Sequence, residues 1–169
     1  FDAVNHSFAA LSTGGFSTQP ESIGHWNSVA IEAVTIPLMI LGNLNFLTVY
    51  ILLQGNFKAF IRNGEVRTMA FLAPTAILIV TLLVARGLYP TLEKIVRVSI
   101  FEVISAMTTT GFSTVSYGNW NSIGFLVLTV LMLIGGGTGS TAGAMKQYRV
   151  YLLFQSVLWD LKRALLPRT

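Results

Sequence analysis

The chain has 169 residues, of which 53% are hydrophobic and 11% are charged, and its formal net charge is +4. Apolar runs of the length seen here exceed what a soluble domain of this size carries, so the composition predicts a membrane protein. Cysteine is absent, which excludes a disulfide framework and thiolate metal sites. The first residue is phenylalanine and no signal-peptide pattern opens the chain, so we expect an internal segment of a longer protein.

The apolar pattern predicts five helical segments, in chain order over residues 4–11, 29–53, 69–88, 95–107 and 123–134. The second and third are long enough to cross a hydrocarbon core about 30 Å thick. The first and fourth are too short to cross, which is typical of half-helices that enter the membrane and turn back. Pro37 and residues 42–45 predict a kink in the second segment, where neighbouring helices satisfy the freed backbone groups.

A phrase rich in threonine and glycine follows each half-helix. Residues 12–18 read STGGFST and residues 108–114 read TTTGFST. Each copy precedes a Trp-Asn-Ser triplet, at residues 26–28 and 120–122, and then a long apolar stretch. These matched flanks indicate that a whole helix, re-entrant loop, helix unit has been duplicated.

Basic residues predict the orientation of these segments, because Lys and Arg accumulate in short cytoplasmic loops. Eight of them fall on one predicted side: Lys58, Arg62, Arg67, Lys146, Arg149, Lys162, Arg163 and Arg168. The remaining three lie near the outer end of the third segment and the start of the fourth: Arg86, Lys94 and Arg97. Both Thr/Gly phrases then open to the outside. Four aromatic residues are predicted to form an outer interfacial belt: Trp26, Tyr89, Tyr117 and Trp120.

The residue types of the Thr/Gly phrase are typical of a pathway for cations through the membrane. A cation that leaves water needs a ring of oxygen ligands, and backbone carbonyls supply them without a full charge in the membrane. Gly15 and Gly111 permit positive φ and close approach of neighbouring strands. The carboxyl end of each half-helix adds a partial negative charge. The alternative is that these small residues serve only helix packing.

Glycines in the last part of the chain predict a break in a helix. Residues 123–134 would cover only about 18 Å at 1.5 Å per residue, and glycines follow where the helix should continue. We interpret this stretch as a movable plug. Residues 137–142 also match a dinucleotide-binding GxGxxA pattern, with Asp160 at a suggestive distance, although no βαβ pattern surrounds it.

Taken together, the two phrases, the GNLNF interruption at residues 42–46 and the glycine-rich stretch at residues 135–146 resemble the TrkH/KtrB superfamily of potassium transporters. Members have four pore-loop repeats in one chain, and this sequence is similar to the second repeat from its pore helix and to the whole third repeat. The resemblance implies an all-α membrane fold in three parts, with residues 1–53 in the second repeat, 54–68 in a cytoplasmic loop and 69–169 in the third repeat.

Two groups of site residues follow from the resemblance. It assigns the ion-binding filter to two short strands: Ser12, Thr13, Gly14, Gly15 and Phe16, and Thr108, Thr109, Thr110, Gly111 and Phe112. It assigns an intramembrane gate to the glycine-rich stretch: Gly135, Gly136, Gly137, Gly139, Ser140, Thr141, Gly143 and Lys146. Ala144 is a departure, because many members have glycine there.

The same resemblance implies the function and the partners. The protein would take up K⁺ through a pore in the cell (inner) membrane, with Na⁺ as a possible second ion, and it would not be an enzyme. It would form a homodimer among membrane lipids and bind a cytosolic ring of the TrkA/KtrA type, which alone would bring a nucleotide; no nucleic acid is implied. Two rival functions remain open, a conventional multi-chain potassium channel and a non-conducting membrane scaffold.

Polar residues within the apolar segments are expensive in lipid, so they are expected to face protein or water. The set comprises Glu32, Asn43, Asn45 and Glu102. Glu102 either adds negative potential to the ion path or braces a loop by accepting hydrogen bonds. His6 is expected to pack behind the first phrase rather than bind a metal. Residues 147–163 predict an interfacial helix, a docking face or a solvated surface.

Overall fold

The computed structural model describes residues 1–165, which form helices and loops with one isolated bridge between Ile134 and Met145. Arg168, predicted to lie on the cytoplasmic side, falls outside the described residues. The helices, in chain order, are α1 (Asp2–Leu11), α2 (Val29–Asn43), α3 (Phe46–Leu53), α4 (Phe57–Arg62), α5 (Gly64–Val80), α6 (Arg86–Leu88), α7 (Leu92–Met107), α8 (Ser122–Leu133) and α9 (Gln147–Leu165). A 3₁₀ turn over Ser22–Trp26 precedes α2, and a π-helical turn over Thr81–Ala85 follows α5.

Helix α5 and the turn after it form the one continuous helix in residues 1–165 that is long and apolar enough to cross a membrane, over Gly64–Val84. It begins five residues before the predicted start, because the Asn63 side chain caps it by accepting from the Glu65 N–H at 2.9 Å. The two half-helices are present as α1 and α7. Each ends at the predicted Thr/Gly phrase.

The segment 29–53 is not the single spanning helix that its apolar length predicts. It divides into α2 and α3, which meet at an angle of 117°. Leu44 and Asn45 leave the helical conformation between them, and the Asn45 side chain accepts from the Leu47 N–H at 2.8 Å to start α3. The interruption at residues 42–45 therefore turns the chain sharply instead of kinking a straight span.

Helix α7 lies at the centre of the molecule and joins two hydrophobic clusters. Val103 and Met107 pack into a cluster with residues of α5 and α8, such as Val80 and Leu128. Phe101 and Ile104, on another side of α7, pack with residues of α1 and α2. Most of α7 is buried, whereas α1 leaves Val4, Phe8 and Leu11 exposed. The first half-helix consequently presents an apolar side that residues 1–165 do not cover.

One aromatic residue of the predicted outer belt lies inside the protein. Trp120 is 6% exposed in the cluster around α7, and its indole N–H donates to the Tyr89 hydroxyl at 3.3 Å. Tyr117 packs edge to face on Trp120, with ring centroids 5.2 Å apart. The belt prediction is therefore wrong for Trp120, because its ring packs in the hydrophobic cluster around α7, whereas Trp26, Tyr89 and Tyr117 are half-buried.

Candidate functional site

The two Thr/Gly loops, residues 12–18 and 108–114, have the same backbone conformation. Thr13 and Gly15 in the first have φ of 52° and 66°, and Thr109 and Gly111 in the second have φ of 56° and 85°. Positive φ is uncommon for residues other than glycine, and for a β-branched residue such as threonine it is an outlier. The same outlier at matching places indicates that the duplication preserved the shape of the loop as well as its sequence.

The hydrogen bonds of the two loops also match. In the first, the N–H of Thr13 donates to Ala10 at 3.1 Å and that of Gly14 donates to Ala9 at 2.9 Å. In the second, Thr109 donates to Ala106 and Thr110 donates to Ser105, both at 3.0 Å. This paired pattern is the Schellman ending of a helix, with threonine where glycine is usual. Each half-helix thus stops and reverses by the same mechanism.

Carbonyl oxygens on both loops have no hydrogen-bond donor among residues 1–165. They belong to residues that follow directly on each half-helix, namely Thr13, Gly14, Gly15, Thr108, Thr109, Thr110 and Gly111. Thr108 is fully buried, and Thr110 and Thr13 are 3% and 7% exposed. Gly14 and Gly111 are exposed. The two loops thus present carbonyl oxygens without a donor at equivalent places, and such oxygens are the groups that bind a cation in a membrane.

The first loop lies against the second. A Cβ at Gly15 would overlap the carbonyl oxygen of Thr110, so only glycine permits this approach. The N–H of Gly24 donates to the Ser113 carbonyl at 3.0 Å, which joins the turn before α2 to the second loop. Gly111 has no atom within 4 Å of its Cβ position among the described residues. The contact is head to tail, since Gly15 of one loop meets Thr110 of the next.

Glu102 braces the second loop from behind. Its Oε1 accepts from the N–H and the hydroxyl of Thr114, both at 2.8 Å, and its Oε2 accepts from the Tyr117 hydroxyl. The side chain is 1% exposed. Ser105 adds a hydrogen bond from its hydroxyl to the Phe112 carbonyl at 2.6 Å. Of the two roles weighed for Glu102, these contacts favour bracing.

His6 stands at the position of α1 that corresponds to Glu102. Its Nε2 lies 2.8 Å from the Ser17 hydroxyl oxygen in the first loop, and its ring stacks on Phe112 of the second, with centroids 5.6 Å apart. It packs behind the first phrase, as predicted. Within the described part of the chain, no group of three or more His, Asp and Glu residues could hold a metal ion.

The glycine-rich loop, residues 135–146, follows α8 and returns beneath the Thr/Gly loops. Helix α8 ends at Leu133, and the bridge between Ile134 and Met145 closes the base of the loop. Because a helix precedes the loop where a dinucleotide-binding motif needs a strand, the structure does not support the GxGxxA interpretation. Ala144 has φ of 60°, a conformation that suits the glycine found there in many members of the resembled family.

Carbonyl groups freed at the end of α2 bind this loop. The N–H of Gly137 donates to the Asn43 carbonyl at 2.9 Å, and the N–H of Thr141 donates to the Gly42 carbonyl at 3.2 Å. The predicted partners of these groups were neighbouring helices, and that prediction is wrong. The glycine-rich loop satisfies them, so the break after α2 is the place where this loop binds.

Three glycines of the loop are packed so closely that a side chain would not fit. A Cβ at Gly135 would overlap the Gly143 carbonyl, and one at Gly136 would overlap the Asn43 side chain. A Cβ at Gly137 would lie 2.8 Å from a carboxylate oxygen of Glu65, whose other oxygen accepts from the Thr138 N–H at 2.8 Å. The loop is therefore closely packed against its neighbours rather than an open strand.

Lys146 closes the loop at its far end. Its ammonium donates to the Ala142 carbonyl at 2.5 Å and lies 3.4 Å from the Ser140 carbonyl and 3.5 Å from the Ser140 hydroxyl. The lysine was predicted only as one of the cytoplasmic basic residues and as part of the gate. Its contacts show a local role, because the charge stabilises the folded-back loop.

An ion pair between a buried glutamate and a half-buried arginine, which the sequence did not reveal, joins α2 to α7. Arg97 forms two hydrogen bonds with Glu32, from Nε at 3.0 Å and from a terminal nitrogen at 2.6 Å, and a third with the Asn27 side chain at 3.3 Å. Glu32 is 5% exposed. Arg97 was predicted to lie near the outer end of the third apolar segment and the start of the fourth. The sequence signal for the ion pair was Glu32, an isolated charge in an apolar helix.

The comparisons with known proteins cover the whole chain. Residues 1–169 match the family model TrkH, described as a cation transport protein. The chain is 35% identical over 173 residues to the Trk system potassium uptake protein TrkH of Escherichia coli K12, and 31% identical over 170 residues to TrkG of the same strain. It is also 30% identical to an uncharacterized cation transporter of Methanocaldococcus jannaschii.

A solved structure shares this fold. The crystal structure of the potassium transporter TrkH from Vibrio parahaemolyticus superposes with a TM-score of 0.92 at 31% identity, covering 99% of this chain and 37% of that one. In sequence, the chain covers 35% of the length of both Escherichia coli relatives. The comparisons therefore match this chain to about a third of a longer transporter.

Proposed function

This chain belongs to the TrkH family of cation transport proteins, and from that premise we propose that it is part of a transporter that takes up K⁺ through a pore. The chain supplies two of four filter strands, one from residues 12–16 and one from residues 108–112. The remaining strands come from parts of the transporter outside this sequence. Residues 1–53 belong to the second repeat, 54–68 to a cytoplasmic loop and 69–169 to the third repeat.

The observation that carries this proposal is the set of unpaired carbonyl oxygens on the two Thr/Gly loops. They lie at equivalent places, next to the carboxyl ends of α1 and α7, where the helix dipole favours a cation. Carbonyl oxygens in this arrangement replace the water around a potassium ion. Each strand has few stacked carbonyls, so we expect moderate discrimination between K⁺ and Na⁺, with Na⁺ as a possible second ion.

The head-to-tail contact between the loops supports a ring of strands. Gly15 accommodates Thr110 of the next strand, and Gly111, with open space around its Cβ position, would accommodate the strand after it. A heterologous contact that repeats about an axis closes into a ring. Four such contacts would enclose one ion path within a single transporter chain.

The glycine-rich loop is the gate of this path. It lies against the inner ends of both Thr/Gly loops and is held by hydrogen bonds to α2 and by Lys146. Most of these hydrogen bonds involve backbone groups of the loop. We expect the loop to move away from α2 as one unit when they break. Transport along the open path is either passive or coupled to another ion. The roles proposed for the filter and gate residues are the same in both cases.

Partners and location follow from the family. We place the transporter in the cell (inner) membrane, with the Thr/Gly loops toward the outside and the basic loops in the cytoplasm. It forms a homodimer surrounded by lipid. A cytosolic nucleotide-binding ring of the TrkA/KtrA type controls the gate, so any nucleotide acts through that partner.

Tracer uptake by the full-length transporter in liposomes tests the filter. Gly111→Val is expected to abolish rubidium uptake, because valine cannot adopt the φ of 85° without strain and its side chain would enter the path. Gly55→Val is the matched control, since Gly55 also has positive φ, at 75°, but has no atom within 4 Å of its Cβ position and lies outside the site.

Rubidium uptake that exceeds sodium uptake, is lost in Gly111→Val and is kept in Gly55→Val supports the proposal. Equal loss in both variants would point to a general effect of backbone strain. Uptake indifferent to Gly111→Val would favour the scaffold role, in which the loops only pack helices.

A further inference from the structure

Threonine side chains of the two Thr/Gly loops hold the glycine-rich loop. The hydroxyl oxygen of Thr109 accepts from the N–H of Gly143 at 2.7 Å. The hydroxyl oxygens of Thr13 and Thr141 lie 3.2 Å apart, and that of Thr141 also lies 3.1 Å from the Leu11 carbonyl oxygen. The glycine-rich loop is therefore attached to the start of both Thr/Gly loops and not only to α2.

Thr13 and Thr109 occupy equivalent positions. Each is the first residue beyond the cap of its half-helix, with φ of 52° and 56°. A partial negative charge collects at that end of a helix, and a positive group is stabilised there. The N–H of Gly143 brings the positive end of a peptide dipole to the Thr109 oxygen. A permeant cation would bring a full positive charge to the same oxygen.

We propose that Thr109 and Thr13 are positioning residues for the gate, and that the glycine-rich loop and the permeant cation compete for the Thr109 hydroxyl oxygen. This inference rests on the function proposed above. The closed loop supplies an N–H in place of the ion, and an ion at the inner end of the filter displaces the loop. By linkage, each partner weakens the binding of the other by the same factor.

Competition of this kind raises the external rubidium concentration at which uptake is half-maximal, because the docked loop occupies the oxygen that the ion must reach. A loop that competes for a single site leaves the curve hyperbolic and shifts its midpoint. A variant that cannot dock the loop on Thr109 should therefore reach half-maximal uptake at a lower rubidium concentration. A residue that only stabilised the fold would change the amount of active protein and leave the midpoint unaltered.

Gly143 offers a matched pair of variants for this test. Gly143→Pro removes the N–H, whereas Gly143→Ala keeps it and places a Cβ at an ordinary distance of 3.6 Å from the Thr109 hydroxyl oxygen. Relative to its own maximum, Gly143→Pro is expected to raise uptake at low rubidium about 2- to 10-fold, the effect of one lost hydrogen bond on the closed state. Its half-saturation concentration for rubidium falls accordingly, and that of Gly143→Ala stays at the wild-type value.

Thr109 offers a second pair, which decides the matter if Gly143→Pro does not fold. Thr109→Val removes the acceptor and keeps the β-branched shape, and Thr109→Ser keeps the acceptor. Valine should lower the half-saturation concentration as Gly143→Pro does, and serine should retain the wild-type value. The double variant Thr109→Val with Gly143→Pro should rise no further than either single variant, because both remove the same contact.

Three results would overturn the inference while leaving the filter intact: a half-saturation concentration in Gly143→Pro equal to that of the wild type, identical curves for valine and serine at Thr109, or additive effects in the double variant. Wild-type liposomes without rubidium uptake would instead overturn the proposed function. The two failures are therefore distinguishable in one series of measurements.

Discussion

Thr13 and Thr109 show how much of the site depends on single residues in unusual conformations. A residue other than glycine in a sparsely populated region of φ and ψ costs about 1 to 3 kcal/mol. The cost recurs at the same place in both loops, where the Schellman hydrogen bonds and the contacts with the glycine-rich loop offset it. Gly15 and Gly111 were predictable from the sequence, whereas the positive φ of the threonines was not, because threonine disfavours that conformation.

Glu102 provides a prediction at the same scale. Glu102→Ala would leave the Thr114 N–H and the Tyr117 hydroxyl without their acceptor and loosen the outer end of the second loop. We expect the ratio of rubidium to sodium uptake to fall about 3- to 10-fold. Glu102→Gln retains one oxygen to accept from Thr114, so its ratio should fall less.

Tyr117→Phe is the control for that series, since it removes one of the three donors and keeps the ring packed on Trp120. It should resemble Glu102→Gln. A Glu102→Ala transporter with the wild-type ratio would contradict the bracing role and return Glu102 to the ion path.

At the scale of elements, two helix breaks position the glycine-rich loop, one after α2 and the other after α8. Both were visible in the sequence, one at residues 42–45 and the other at the glycines after residue 134. Their mutual contact was not, because hydrogen bonds between residues about 100 positions apart leave no local pattern. For the same reason the sequence predicted helices as partners of the Gly42 and Asn43 carbonyls, where the structure has the glycine-rich loop.

The ion pair between Glu32 and Arg97 fixes the orientation of α7 against α2. It supports a prediction about the stability of this helix contact. Arg97→Ala leaves the buried Glu32 carboxylate without its partner, which costs up to about 3 to 5 kcal/mol, and Glu32→Gln costs less because the Arg97 side chain is 23% exposed. The thermal midpoint of the detergent-solubilised transporter should fall in both. Reversing the pair, Glu32→Arg with Arg97→Glu, should recover part of the loss.

Glu93→Gln is the matched control, because Glu93 also faces Arg97, at 4.0 Å, but is 77% exposed. An exposed pair at this distance contributes little. The thermal midpoint of Glu93→Gln should therefore match the wild type. Equal shifts for Glu93→Gln and Glu32→Gln would contradict the assigned role of the pair between Glu32 and Arg97.

At the scale of the whole molecule, the duplicated unit was predictable from the repeated phrase and its flanks. The membrane setting was predictable from the composition. The all-α fold was also predicted, and its similarity to the Vibrio parahaemolyticus structure confirms it. The burial of Trp120 was not, since a tryptophan near the end of an apolar segment suits lipid headgroups as well as a protein core. The roles of the filter and gate residues were predicted from the resemblance alone, because the bound ions and the loop movement on which those roles depend leave no pattern in composition or periodicity.

The direct test of the central claim is to locate the ion. Crystals of the full-length transporter grown with rubidium should give anomalous density between the carbonyl oxygens of residues 13–15 and 108–111, and Gly111→Val crystals should lack it. Rubidium bound elsewhere along the path, with these oxygens unoccupied, would contradict the assignment of the two Thr/Gly loops as filter strands.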